Sequence, residues 1–89
     1  MVTVRLATPL RKFSDGKPEI TADGETLQEV IENINAKSPG FADRIIENGE
    51  IKRFVNIYVN NEDVKMGKGL ATKIGKNDII SILPAVSGG

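Results

Sequence analysis

A single amphipathic helix, set between segments with strand-like sequence, most limits how this chain can fold. Its apolar side chains recur at helical spacing, at Leu27, Val30, Ile31 and Ile34. Thr26 followed by Glu29 has the spacing of an N-terminal capping box, and the Ser-Pro-Gly sequence at residues 38–40 ends the helix. One apolar stripe must be buried against another layer, and in a chain of 89 residues the flanking strands provide that layer.

Four segments have the alternation or composition of β-strands. They are residues 2–7, 19–22, 53–60 and 79–83, and a short extended piece is predicted at residues 64–66 after a turn at residues 60–63. A turn at Asp15 and Gly16 makes the second strand antiparallel to the first. We expect the first and last strands to lie side by side in the middle of the sheet.

A short second helix is predicted after the main one. Phe41, Ile45 and Ile46 indicate that it ends near residues 48–49 and covers one edge of the core as a lid. Residues 70–74 fit a single helical turn between glycines.

The order of these elements predicts an α+β fold. It fits the β-grasp, or ubiquitin-like roll, in which one main helix crosses a mixed sheet of four to five strands. The chain contains no long linker and no internal repeat. We therefore predict one domain over residues 1–83 and a flexible C-terminal tail over residues 84–89.

The chain has neither cysteine nor histidine. Without cysteine it can form no disulfide, no thiolate metal site and no thioester of its own. Without histidine it lacks the side chain best suited to proton transfer near neutral pH. We therefore expect a protein that is not a self-contained enzyme and that binds no metal.

Charge and hydropathy exclude two further classes of partner. The chain has 12 Lys and Arg residues against 12 Asp and Glu residues, scattered along its length, so nucleic acid and anionic membranes are not predicted partners. No stretch approaches the ~20 apolar residues of a membrane span, and the first residues lack the layout of a signal peptide. The expected location is cytoplasmic.

Two segments imitate ligand sites without matching them. The glycines of GKGLATKIGKND do not have phosphate-loop spacing, because Ile74 stands where the second glycine is required and Asn77 follows residues 75–76. Glu62 and Asp63 lack the spaced oxygen ligands of a calcium loop. Turn glycines and a solvated turn are the simpler interpretations.

Phe54, Tyr58 and Leu83 form the predicted partner-binding surface. When the alternate residues of their strands face the helix, all three lie on the other face of the sheet. A domain of this size rarely exposes such a group of apolar side chains without a partner. Two alternatives stay open: the lid or the tail covers these residues, or the strand register is inverted by one residue.

The chain closes on LPAVSGG, which we predict to be the reactive segment. The tail comprises Pro84, Ala85, Val86, Ser87, Gly88 and Gly89. Proline cannot donate to a strand ladder and ends the last strand, and the six tail residues can extend about 20 Å. Because the two glycines have no side chain, the α-carboxylate of Gly89 can enter a narrow channel in another protein. Ordinary fraying of a terminus is the alternative.

Residues 53–89, RFVNIYVNNEDVKMGKGLATKIGKNDIISILPAVSGG, resemble the C-terminal half of ubiquitin-like bacterial and archaeal sulfur carriers. The resemblance rests on the β-grasp order of the whole chain, on the RFVNIYVN strand with its acidic turn, on the GLAT segment and on the final diglycine. The chain is most similar to the carrier that serves a thiocarboxylate-dependent cysteine synthase, and next to the small subunit of molybdopterin synthase. Ser87 stands where alanine is common in these tails. Residues 1–52 fit the family in pattern only.

The resemblance implies that the chain is a protein co-substrate whose reactive group is its own C-terminus. An E1-like enzyme would adenylate Gly89 with ATP, and sulfide equivalents would convert the adenylate to a thiocarboxylate. The implied acceptor is a pyridoxal-phosphate cysteine synthase, and a zinc peptidase would trim the product, while the chain itself binds no cofactor. The alternatives are the small subunit of molybdopterin synthase or another sulfur donor of this family, and a ubiquitin-like binding module with an inert tail.

Overall fold

The structure is a computed structural model that describes residues 1–84. Its strands are β1 (Val2–Leu6), β2 (Glu19–Ala22), β3 (Ile46–Glu47), β4 (Glu50–Ile51), β5 (Val55–Val59), β6 (Glu62–Asp63) and β7 (Ile79–Pro84). Its α-helices are α1 (Leu27–Lys37) and α2 (Phe41–Ile45), and short 3₁₀ helices cover Thr8–Ser14, Val64–Met66 and Gly69–Ala71.

Five strands form one mixed sheet in the order β2-β1-β7-β5-β6. The central pair, β1 and β7, is parallel, with Val4 opposite Ile80, and the other neighbours in this sheet are antiparallel. β3 and β4 form a separate two-stranded hairpin. The predicted β-grasp order is therefore confirmed, including the first and last strands side by side in the middle.

The main helix begins as the sequence predicts, with one difference in its cap. The Thr26 hydroxyl accepts from the Glu29 N–H at 3.2 Å, but the Glu29 carboxylate accepts from the Glu25 N–H at 2.9 Å and not from that of the cap residue. Gly24 permits a close approach just before the cap, because a Cβ there would lie 2.7 Å from the backbone nitrogen of Val30. The helix is thus held tightly against the loop that leads into it.

The core lies between α1 and one face of the sheet. It is formed by the apolar stripe of the helix and the inward residues of β1, β5 and β7, which include Val4, Ile57, Ile80 and Ile82. Burying an aliphatic side chain of this size contributes about 1.5–3 kcal/mol to folding.

The predicted lid is instead part of this core. Phe41 and Ile45 of α2 are fully buried, and the Phe41 ring packs edge-on against Phe13 with 5.5 Å between ring centroids. Both residues have the helical spacing that brings two side chains to one face, and that face points into the protein. α2 therefore closes the core and does not merely cover its edge.

The second helix also ends earlier than predicted. It stops at Ile45, and a hairpin follows in which Ile46 pairs with Ile51. Its turn lies at Asn48 and Gly49, which both have left-handed backbone angles, with φ of 54° and 78°. Two left-handed residues in a row make the tight turn typical of two-residue hairpins, so Asn48 and Gly49 form the turn of a hairpin and do not end a helix.

The segment after β5 also differs from the structure predicted for it. The turn is confined to Asn60 and Asn61, with φ of 51° and 74°, so Glu62 and Asp63 already form β6. Residues 64–66 are predicted to be extended but form a 3₁₀ helix. At the start of this helix, the Lys65 N–H donates to the Asp63 carboxylate at 2.9 Å. Capping by this carboxylate turns the chain out of the ladder.

Three smaller differences complete the comparison with the sequence. The 3₁₀ helix at Thr8–Ser14 was not predicted. The helical turn expected at residues 70–74 is shorter and covers Gly69–Ala71, while Ile74 is buried in the core. β7 runs one residue further than predicted and includes Pro84, which pairs in register with Val55.

Candidate functional site

The candidate surface lies on the face of the sheet opposite α1. The register places Leu83 beside Asn56 and Tyr58 beside Ser81, so Leu83 and Tyr58 share this outer face. Phe54 precedes β5 by one residue and is 60% exposed, Leu83 is 40% exposed, and Tyr58 is half-buried. Of the three residues predicted to bind a partner, Tyr58 and Leu83 therefore lie at neighbouring positions of one face, and Phe54 lies in the turn immediately before β5.

Neither an inverted register nor the predicted lid accounts for these residues. An inverted register would bury the outer residues, but Ile57 and Ile82 on the other face are 0% and 1% exposed. The predicted lid, α2, belongs to the core and leaves Phe54 and Leu83 exposed. The alternative in which the tail covers the patch concerns residues outside the described part of the chain.

A row of polar side chains crosses the same face, and sequence reasoning missed it. Ser81 pairs with both Tyr58 and Arg5, and Arg5 pairs in turn with Glu19. The Arg5 Nε donates to the Glu19 Oε2 at 3.0 Å across the sheet. Finding this row from sequence would require the parallel register of β1 and β7, which no local pattern reveals. Leu83 and Phe54 thus form an apolar corner on one side of this row, and Ile79, which is 36% exposed, lies on the other side.

The position of this corner relative to the tail follows from β7. Leu83 and Pro84 are the final described residues of that strand, and Pro84 pairs with Val55, next to Phe54. Five further residues follow Pro84 and can span at most about 18 Å when extended. The predicted tail residues Ala85, Val86, Ser87, Gly88 and Gly89 lie outside the described residues. The last described residue of the chain therefore lies beside the apolar corner.

A clasp of hydrogen bonds sets the register of β5 and β7 at their other end. The Asn60 side chain donates to Asp78 at 2.8 Å and accepts from the Ile79 N–H at 3.0 Å, and the Asn60 N–H donates to the Ile79 carbonyl at 2.9 Å. The second carboxylate oxygen of Asp78 accepts from the Gly75 N–H at 2.7 Å. This bond first, and that from Asn60 second, hold the pKa of Asp78 below its ordinary value of 3.8.

The segment that imitates a phosphate loop uses its backbone internally. The Gly75 N–H is occupied by Asp78, the Ile74 N–H donates to the Glu25 carbonyl at 3.0 Å, and the Thr72 carbonyl accepts from Leu27 at 2.9 Å. These bonds dock the segment against the start of α1.

Two further features bear on the classes of function considered. Within residues 1–84, no three acidic side chains come together in a way that could hold a metal ion. None of the helices in that part of the chain is long and apolar enough to cross a membrane.

Comparison with known proteins identifies the family. Residues 4–89 match the model of the ThiS family. The chain belongs to this family. It is 45% identical over 91 residues to the sulfur carrier protein CysO of Mycobacterium tuberculosis, covering 99% of this chain and 98% of that protein. The predicted membership of the ubiquitin-like sulfur carriers is thereby confirmed.

Solved structures of this ThiS-family chain's relatives agree with the fold. The crystal structure of Mycobacterium tuberculosis CysO has a TM-score of 0.93 at 44% identity, covering 97% of this chain and all of that one. CysO in the Amycolatopsis orientalis BexX/CysO complex has a TM-score of 0.94 at 37% identity, with complete coverage of both chains. A putative molybdopterin converting factor, subunit 1, from Pyrococcus furiosus has a TM-score of 0.70 at 22% identity over 96% of this chain and 97% of that one, which shows the shared fold alone.

Proposed function

We propose that this sulfur carrier loads sulfur on the α-carboxylate of Gly89 and delivers it for cysteine biosynthesis. The observation that carries the proposal is the 45% identity to a sulfur carrier protein across 99% of this chain. The family match also extends through residue 89, so it includes the diglycine. The described fold supports the proposed role of the tail, because β7 ends at Pro84, beside exposed apolar residues.

The chemistry requires a separate activating enzyme. An α-carboxylate has a pKa near 3.5 and is ionised at neutral pH, so it resists nucleophilic attack until it is activated. Reaction with ATP joins the carboxylate oxygen to the α-phosphorus and releases pyrophosphate. A sulfide equivalent then attacks the acyl carbon, AMP leaves, and the thiocarboxylate remains. The chain has no cysteine or histidine to perform these steps, so it acts as a co-substrate and not as an enzyme.

The proposed partners divide between the tail and the sheet. An E1-like adenylating enzyme would contact the outer face at Phe54, Tyr58 and Leu83 while Gly89 enters its nucleotide site. The proposed acceptor is a cysteine synthase that holds pyridoxal phosphate, and a zinc peptidase would release the new cysteine from the tail. ATP and pyridoxal phosphate therefore belong to these partners, and the proposed location is the cytoplasm.

Intact mass spectrometry tests the proposal directly. The full chain is incubated with the activating enzyme of its own host, ATP and a sulfide source. We expect a mass increase that corresponds to one oxygen-to-sulfur exchange, and none for a variant that lacks Gly89. A shift that persists without Gly89, or the absence of any shift in the complete reaction, would contradict the proposal.

A second reaction tests the acceptor. The thiocarboxylated chain is mixed with the pyridoxal-phosphate enzyme and its amino-acid substrate, and the carrier mass is followed. Loss of the sulfur-shifted species with formation of a carrier–cysteine adduct supports cysteine biosynthesis. If the sulfur-shifted carrier is consumed only when a molybdopterin synthase large subunit is added instead, the proposed sulfur loading of Gly89 is retained and the proposed pathway is wrong.

A further inference from the structure

The free edge of β2 adjoins an apolar groove on the side of the molecule away from β5 and β6. A groove of about 750 Å³ lies between this strand and the C-terminal half of α1. Its walls include the half-buried Phe13 and Ile20 and the buried Ile34, and the charged residues Lys17, Asp23 and Lys37 line it as well. An unpaired strand edge next to an apolar groove is a template for the addition of another strand.

The ladder between β1 and β2 shows which backbone groups face the free edge. The Leu6 N–H donates to the Pro18 carbonyl at 2.8 Å, and the register pairs Val4 with Ile20. Hydrogen-bonded pairs alternate along an antiparallel ladder, so the N–H and C=O of Ile20 point toward β1. Those of Glu19 and Thr21 must then point outward.

Glu19 and Thr21 are the usable groups of this edge. Neither their N–H groups nor their carbonyls have a hydrogen-bond partner among residues 1–84 beyond the β1 ladder. The positions on either side are already engaged: the Lys17 N–H donates to the Ser14 carbonyl at 3.1 Å, and the Asp23 carbonyl accepts from the Asn33 side chain at 2.6 Å. The open segment is therefore short and well defined.

The charges along this edge complement a copy of themselves. Lys17 stands at one end and Asp23 at the other, both exposed, and neither side chain makes a hydrogen bond or an ion pair within the described residues. We propose that a second copy of this chain pairs its β2 antiparallel to this one, with Glu19 opposite Thr21 of the second copy. Lys17 then lies opposite Asp23 of the second copy at both ends of the two-fold interface.

Hydrogen bonding and charge both select this register. It forms about four inter-chain backbone hydrogen bonds, two for each Glu19–Thr21 pair. A shift of the partner strand by one pair in one direction sets Glu19 against Glu19, and a shift in the other direction sets Glu19 against Asp23. Both shifted registers place like charges directly opposite each other, which destabilises a strand pair, and both use fewer free backbone groups.

The groove supplies the apolar part of the interface. The two-fold axis passes between the Ile20 residues of the two copies, which form a close, non-hydrogen-bonded pair on the groove side. The opposite edge of the sheet is less suited, because β6 has two residues and turns into a 3₁₀ helix at Val64. The resulting ten-stranded sheet leaves Phe54 and Leu83 of both copies uncovered, so the proposal is independent of sulfur transfer.

Analytical ultracentrifugation of the full chain over a wide range of concentrations tests this dimer. We expect reversible dimerisation that weakens about tenfold in Lys17→Glu and in Asp23→Lys, because each change sets like charges opposite each other at both ends. The double variant K17E/D23K restores opposite charges and should recover the affinity of the unaltered chain. Lys76→Glu, a change of an exposed lysine outside the groove, is the matched control and should have no effect.

Thr21→Pro tests the strand edge itself. It removes an N–H that faces outward and spares the ladder with β1, so the variant should fold, as checked by circular dichroism, and remain monomeric. The proposal is overturned if the unaltered chain is monomeric at every concentration. Binding of a peptide in the groove would not rescue it. It is also overturned if the double variant does not recover dimerisation, or if the Thr21 variant still dimerises through another face.

Discussion

The two faces of the five-stranded sheet are built from the same strands but obey different constraints. On the inner face, Ile57 and Ile80 are fully buried against α1. On the outer face, Leu83 is 40% exposed, and Phe54, in the turn just before β5, is 60% exposed. Burial of the apolar side chains of the inner face stabilises the fold, whereas the exposed apolar side chains of the outer face contribute little to stability. These exposed apolar residues are the basis of the partner surface proposed above.

The largest effect on stability should come from the inner face. Ile80→Ala leaves a cavity between β7 and α1, so we expect the free energy of unfolding to fall by about 2–5 kcal/mol. Ile79→Ala is the matched control, because the neighbouring side chain is 36% exposed and points to the other face. Urea denaturation followed by circular dichroism measures both. Equal losses for the two variants would show that the faces are not distinct.

A smaller loss should follow when the start of α1 is weakened. Thr26→Ala removes the hydroxyl that accepts from the Glu29 N–H, and we expect a loss of about 1 kcal/mol in the free energy of unfolding. Thr26→Ser keeps the hydroxyl and should retain most of the stability in the same urea titration. If serine is as destabilising as alanine, the cap does not hold the helix on the inner face.

The Asn60–Asp78 clasp should have a smaller, pH-dependent effect. Asp78→Asn replaces charge-assisted bonds with neutral ones, and because solvent reaches this group we expect a loss of about 0.5–1 kcal/mol near neutral pH. The folded-state pKa of Asp78 lies below its ordinary value of 3.8, so its contribution is present above that pH and is lost as pH falls through the folded-state pKa. Stability curves of the two proteins should therefore converge in acid. Curves that stay parallel would contradict the role of the carboxylate.

The smallest effect on stability should come from the outer face. Leu83→Ala should change the free energy of unfolding by about 0.5 kcal/mol or less, because the side chain lies at the surface and is 40% exposed. The same change should slow sulfur loading by the activating enzyme, which initial rates read by intact mass will measure. Thr3→Ala, on the outer face but away from the apolar corner, is the control and should load normally. A Leu83 variant that loads at the normal rate would remove this residue from the partner surface.

Local sequence patterns predicted the parts of the fold that depend on one segment. The stripe of α1, its capping threonine and the alternation in β5 and β7 each arise from near neighbours in the chain, and the structure confirms them. The hairpin at residues 46–51 was missed because two-residue strands are too short to show a period. The core position of Phe41 was missed because burial depends on what packs against α2.

The candidate surface was predictable in part for the same reason. Alternation alone assigned Tyr58 and Leu83 to one face, but the row through Arg5, Ser81 and Glu19 depends on pairing between distant strands. The outward-facing backbone of β2 likewise follows only from the ladder it forms with β1. The reactive role of Gly89 stays a prediction drawn from the sequence and the family.

The parallel pairing of β1 with β7 also affects how the protein folds. Val4 meets Ile80 across nearly the whole length of the domain, so the central ladder closes a long loop and costs more entropy than the hairpins beside it. Domains dominated by such non-local pairs fold slowly, in milliseconds to seconds. An unfolded chain carries the same tail but lacks the surface that β5 and β7 create together. A partner can therefore recognise the tail and this surface together only after β7 has paired with its neighbouring strands.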